Sequence, residues 1–175
     1  MENKGANSTL YWTYLTQGNN RMVIAATSSG LSYVGSWNES DQAFADWAHK
    51  VFSNYERVQD DEKMELYVRQ LEEYLAGERT SFTYPVDLQG TPFQRAVWDA
   101  MSQVPYGKTA SYLEVAQSLD KPNSVRAVGT AIGRNPVLIV APCHRIIGKN
   151  GALTGYRGGL AMKEQLLKLE KASNH

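Results

Sequence analysis

Thr9–Thr16 and Met22–Thr27 concentrate aromatic and β-branched residues, and Gly18-Asn19-Asn20 between them is turn chemistry. The pattern predicts a β-hairpin. A third strand, Leu31–Trp37, is expected after Ser28-Ser29-Gly30. Helical stretches follow over Asp41–Tyr55 and Asp60–Ala76, the second closed by Gly77 as a C-cap. Thr80–Leu88 reads as one more strand, or as an extended linker interrupted by Pro85. The chain is then punctuated at Gly90, which divides it into residues 1–87 and 88–175.

The second part changes character. Thr91-Pro92-Phe93-Gln94 supplies a cap, a proline at the first helical position and a capping-box glutamine, so a helix is expected from Pro92 to about Gln103, before Pro105-Tyr106-Gly107. Ser111 and Glu114 form a second capping box, opening a helix to about Leu119. Lys121-Pro122-Asn123 breaks it, and Ser124–Gly133 forms a third helix ended by Asn135-Pro136. Two short helices about a tight turn fit a helix-turn-helix, a pattern that many helical hairpins share. On the third helix Arg126 stands among Ala127, Gly129, Thr130, Ala131 and Gly133. Such a surface suits either close approach to a nucleic-acid groove or packing against a neighbouring helix.

Composition narrows these options. At 42% hydrophobic and 21% charged, the chain has the balance of a soluble globular protein. Met1 to Trp12 has no apolar stretch of signal-peptide length, and Val137–Ala141, the longest strongly apolar run, is far too short to span a membrane. A cytoplasmic location is expected. One cysteine excludes an internal disulfide and any multi-cysteine zinc site, and His49, His144 and His175 are scattered. No metal and no cofactor are expected. Residues 1–90 hold 7 Lys and Arg against 13 Asp and Glu, net −6, whereas residues 91–175 hold 11 against 5, net +6. A basic second half is suited to a polyanion, although uneven surface charge would give the same count.

The candidate chemistry sits at Pro142-Cys143-His144-Arg145, which the apolar run Val137–Ala141 should deliver as a buried extended segment. A free thiol with a pKa of about 8.5 needs a base, and the base needs an orienting partner. His144 is adjacent. On the C-terminal helix, at ~100° per residue, Met162, Leu166 and Leu169 form an apolar arc; Glu170 falls beside it, while Glu164 points away and precedes Lys168 by four residues. Glu170 is therefore the candidate partner of His144. A lone Cys-His pair would otherwise read as an inert core cysteine.

The larger pattern removes that reading. Pro142-Cys143-His144-Arg145-Ile146-Ile147, with Gly90-Thr91-Pro92-Phe93-Gln94, Pro105-Tyr106-Gly107, Ser111-Tyr112, Arg126-Ala127-Val128-Gly129, Arg134-Asn135-Pro136 and Gly155-Tyr156-Arg157-Gly158-Gly159, resembles the O6-alkylguanine-DNA alkyltransferases over about residues 88–171. These are also called methylated-DNA–protein-cysteine methyltransferases. The resemblance implies an α/β (α+β) chain: a small N-terminal RNase H-like αβ domain, then a mostly helical domain with a winged-helix-like helix-turn-helix. It implies a monomer acting on double-stranded DNA that contains O6-alkylguanine, with O4-alkylthymine a second candidate.

Residue by residue, the resemblance makes Cys143 the alkyl acceptor and His144, held by Glu170, the base that takes its proton through a water. Asn135 would bond across the active-site turn. Tyr112 would face the target nucleotide, and Arg126 would fill the gap left by the extruded base. Ser124, Ala127 and Thr130 would share the DNA-facing helix, lying in the minor groove. Ile146, Tyr156, Arg157 and Leu138 would line the substrate pocket; Arg157 and Leu138 stand where some relatives have smaller or proline residues. Transfer would occur once per molecule, since a thioether has no hydrolysable bond. A non-catalytic damage-sensing DNA-binding protein is the alternative, and Cys143 argues against it. A transcription regulator would not need Cys143, His144 and Glu170, and a cysteine hydrolase would not need the helix-turn-helix.

Overall fold

The computed structural model describes residues 8–173; residues 1–7 and 174–175, and with them His175, lie outside the described residues. The hairpin forms from β1 (Thr9–Gln17) and β2 (Asn20–Thr27), which pair antiparallel from Tyr11↔Ala26 to Gln17↔Asn20. Gly18 at φ +57° makes the tight connection, a left-handed conformation that costs glycine little. β3 (Gly30–Val34) adds antiparallel to β2, and β4 (Glu56–Gln59) adds parallel to β1, giving the order β3-β2-β1-β4.

Both faces of this sheet are covered. Val23 and Ala25 of β2 pack with Phe44, Ala48 and Phe52 on and after α1 (Asp41–Val51). Met22, Ile24 and Ala26 point the other way, into a core shared with Met64, Leu71 and Tyr74 of α2 (Asp61–Leu75) and with the helical second half. The two-residue period of the strand thus sorts its side chains between two cores.

The first half departs from expectation in three places, at β3, α1 and β4, and settles a fourth, residues 80–88, as the linker rather than the strand. β3 stops at Val34 rather than Trp37, because the chain turns so that Glu39 reaches Tyr33. α1 ends at Val51 rather than Tyr55, since Ser53-Asn54 is a turn. That turn leads into β4, whose Glu-Arg-Val-Gln sequence is too polar to signal a strand and suits an exposed sheet edge. Residues 80–88 form a linker with a single bridge, Leu31↔Val86.

In the second half α3 (Pro92–Met101) starts on its capping box and ends two residues before the expected Gln103. β5 (Ala110–Ser111) leads into α4 (Tyr112–Ser118), whose capping box is also formed. After a 3-10 turn at Pro122–Ser124, α5 (Val125–Gly133) completes the helix-turn-helix. Trp98 of α3 locks it from behind, donating Nε1–H to the Ala131 carbonyl at 2.8 Å. β6 (Ile146–Ile147) pairs parallel with β5, and α6 (Leu160–Ser173) closes the chain. Among the described residues no helix is long and apolar enough to cross a membrane.

Candidate active site

The segment between α5 and β6 is where the expectation of an extended strand fails. Val137–Ala141 is a coiled turn, with Ile139 at φ +72°, a left-handed geometry that costs a branched residue roughly 1–2 kcal/mol. Asn135 holds it. Its fully buried amide donates from Nδ2 to the carbonyls of Val137 at 3.2 Å and Ala141 at 2.8 Å, and its Oδ1 accepts from Val137 N at 3.0 Å. The same Nδ2 lies 3.1 Å from Cys143 Sγ. An apolar run can therefore coil without orphaning its backbone groups, because one side chain satisfies them.

The turn is also docked on the sheet. Val34 N donates to the Pro136 carbonyl at 3.0 Å and Leu138 N to the Val34 carbonyl at 3.3 Å. Arg157 fastens the same junction: Nε reaches the Asn135 carbonyl at 2.9 Å, Nη2 the carbonyls of Val34 and Pro136 at 2.8 and 3.1 Å, and Nη1 Glu39 at 3.3 Å. Arg157 thus spends its hydrogen-bonding capacity on the turn and the N-terminal domain rather than on a substrate pocket. Sequence reasoning had no signal for this, since Glu39 and Val34 are more than 100 residues away.

Cys143 opens a 3-10 turn and is 5% exposed. Burial pushes its thiol pKa up, while the Asn135 hydrogen bond and the positive charges of Arg157 and Lys163 pull it back. His144 is fully buried, and its Nε2 lies 2.7 Å from Glu170 Oε2. Burial depresses the imidazole pKa, against the opposing pull of Glu170. Burial also disfavours the Glu170 carboxylate, yet hydrogen bonds from His144, Arg145 and Tyr74 hold its pKa at about 2. An ionised carboxylate only accepts, so Nε2 carries the proton and Nδ1 keeps its lone pair. Nδ1 makes no hydrogen bond within the described residues.

Glu164 instead forms an exposed pair with Lys168 at 3.2 Å. The sequence reading missed three groups around Glu170. Arg145 grips it with Nε and Nη2 at 2.8 and 3.0 Å and donates to the Val104 carbonyl at 2.8 Å. Tyr74, from α2, donates its hydroxyl to Oε2. Gly107, at φ +78°, donates its N–H to Oε1 at 3.3 Å. Lys163, also missed, is fully buried and donates to the carbonyls of Ile146 and Thr154 at 2.5 and 3.2 Å. Arg145 stood next to His144 in the sequence; the others had no local signal.

Leu138 and Ile146 are fully buried beside this centre, and the Tyr156 hydroxyl is buried without a hydrogen-bond partner among the described residues. Gly158 is required here: a Cβ would come within 2.5 Å of the Tyr156 ring and 3.1 Å of Leu138. Tyr112, half-buried, rests on Gly129 of α5 and accepts a hydrogen bond from Thr154 at 3.0 Å. On the outer side of α5, Arg126, Ala127 and Thr130 are exposed, and with Ser124, Gln94 and Arg134 they line an open groove of about 720 Å³.

Known proteins resemble this chain in sequence and fold. Residues 10–88 match the model of the 6-O-methylguanine DNA methyltransferase ribonuclease-like domain, and residues 92–172 that of its DNA binding domain. The inducible methylated-DNA–protein-cysteine methyltransferase of Bacillus subtilis is 51% identical over 166 residues, 95% of this chain and 93% of that one. The methylated-DNA–protein-cysteine methyltransferase of Methanosarcina acetivorans is 43% identical, over 85% of this chain and 90% of its own. The crystal structure of Mycobacterium tuberculosis OGT in complex with DNA superposes with a TM-score of 0.79 at 35% identity, over 93% of this chain and 94% of that one. Matched in both halves and along nearly the whole of a relative half identical to it, the chain belongs to the 6-O-methylguanine DNA methyltransferase family.

Proposed function

We propose that the protein repairs DNA by moving an alkyl group from O6 of guanine to Cys143, acting as a monomer on double-stranded DNA in the cytoplasm. The observation that carries this is the linked set Asn135–Cys143–His144–Glu170, with Cys143 in the same core as the buried face of α5. The division near residue 87 follows function: the sheet domain supports, the helical domain binds and reacts.

The groove along α5 takes the duplex from the minor-groove side, with Ser124, Ala127 and Thr130 against its edge. A buried sulfur cannot reach the alkyl carbon of a stacked base, so the nucleotide rotates out and Arg126 fills the space. Tyr112 meets the extruded nucleotide. Ile146, Leu138 and Tyr156 enclose the base, the Tyr156 hydroxyl offering a buried polar contact.

His144 Nδ1 takes the thiol proton through a water, and the imidazolium is held by Glu170. Sulfur attacks the alkyl carbon; the S–C bond forms as the C–O bond breaks, and the thiol's proton finally resides on the guanine ring. The product is a thioether, so each molecule acts once. The test is incubation with a duplex carrying radiolabelled O6-methylguanine, followed by peptide mapping. Stoichiometric label on Cys143 is expected. Tight binding to the damaged duplex without label on protein would replace repair by damage sensing.

A further inference from the structure

Tyr74 lies in the last turn of α2, in the sheet domain, yet its hydroxyl ends on Glu170, 96 residues away. It is fully buried. Its ring is fixed by Phe82 at 5.7 Å and, edge-on, by Tyr106 at 6.0 Å. The hydroxyl donates to Oε2, the oxygen that also receives His144 Nε2 at 2.7 Å and Arg145 Nη2 at 3.0 Å, and it lies 3.5 Å from that imidazole nitrogen. Three donors therefore share one carboxylate oxygen. Each weakens the hold of that oxygen on the others, because hydrogen bonds to a charged acceptor draw on the same charge.

We infer that Tyr74 is a positioning residue of the alkyl-transfer site: its hydroxyl restrains the pull of Glu170 on His144 and so sets how readily His144 takes the proton of Cys143. This rests on the transfer reaction proposed above. The hydroxyl remains a donor throughout, because burial and the Glu170 charge raise its pKa. The other groups facing the centre are Arg145 and Tyr106, stacked on each other, Lys163 and Arg157 on the cysteine side, and Tyr156. None of them comes from α2. The restraint exists only while the sheet domain is docked.

The test is the pH dependence of Cys143 alkylation, read with iodoacetamide by mass spectrometry and, in parallel, with free O6-methylguanine base. Tyr74→Phe keeps the ring and removes the hydroxyl. Glu170 then holds imidazolium more strongly, and the midpoint for thiolate formation should fall by about half a pH unit, with roughly threefold faster alkylation below it. 3-Fluorotyrosine at position 74, a stronger donor, should move the midpoint the opposite way and decides the matter if Tyr74→Phe does not fold. A midpoint unmoved by either change, or raised by Tyr74→Phe, would overturn the inference and leave Tyr74 a packing residue. A shift with iodoacetamide but no methyl transfer from the base in the unaltered protein would uphold the role of Tyr74 and reject the transfer reaction instead.

Discussion

Arg145 meets Glu170 side-on, Nε to Oε1 at 2.8 Å and Nη2 to Oε2 at 3.0 Å, with only 1% of the carboxylate side chain exposed. The carboxylate that orients His144 is therefore also the counter-ion of a nearly buried guanidinium. Glu170→Gln should act twice. It should raise the apparent pKa of Cys143 and slow transfer, and it should destabilise the fold by about 3–5 kcal/mol by stranding Arg145. Glu164→Gln, which loses only an exposed pair with Lys168, should cost no more than about 0.5 kcal/mol. Urea denaturation beside single-turnover transfer checks both. Equal effects of the two substitutions would reject the assignment of Glu170.

Cys143→Ala should abolish transfer and leave affinity for duplex DNA nearly unchanged, since Cys143 is only 5% exposed and offers little surface to the duplex. Titration by fluorescence anisotropy and a label-transfer assay are the measurements. A variant still alkylated at one equivalent would place the acceptor elsewhere.

Arg126→Ala should slow repair of a duplex more than reaction with free O6-alkylguanine base, because only the duplex demands that a stacked base be extruded, at a few kcal/mol. Arg126 is exposed on α5, where a phosphate contact is the competing role. That role would lower affinity and reduce the salt slope by about one unit while sparing the maximal rate. Single-turnover kinetics at saturating duplex distinguish the two.

Arg157→Ala should destabilise the protein by roughly 1–3 kcal/mol, since it leaves the Asn135 carbonyl unpaired and takes one of two donors from each of the Val34 and Pro136 carbonyls. It should also slow transfer from the free base, since the turn that places Cys143 loses its tie to the sheet. Unaltered stability with a changed preference among alkyl groups would return Arg157 to the substrate pocket.

The pH response has a definite sign. Burial depresses the His144 pKa below 6.5 in the folded chain, so the unfolded chain takes up that proton first and stability falls as pH drops below about 6.5. Glu170, held at about 2 against an ordinary 4.5, contributes stability that is complete above about 4.5 and is lost as pH falls toward 2. Imidazole NMR should show the folded His144 ring titrating below pH 6.5. Protonation of that ring at or above pH 6.5 in the folded state would contradict the burial argument.

What the sequence determined by itself was whatever depends on neighbours along the chain. Both capping boxes, at Thr91–Gln94 and Ser111–Glu114, formed where the cap residues placed them. The choice of Glu170 over Glu164 followed from helical phase, because Met162 and Leu166 had already marked the buried side of α6. The tertiary structure decided what depends on distant partners. β4 exists because β1 offers it an edge, not because Glu-Arg-Val-Gln favours a strand. Val137–Ala141 coils rather than extends because Asn135 supplies its hydrogen bonds and Val34 a place to dock. Tyr74, Lys163 and Gly107 converge on the reactive centre from two helices and a turn far apart in the chain. Such convergence leaves no periodic trace, since a buried polar group is satisfied by whichever donor the fold brings near it.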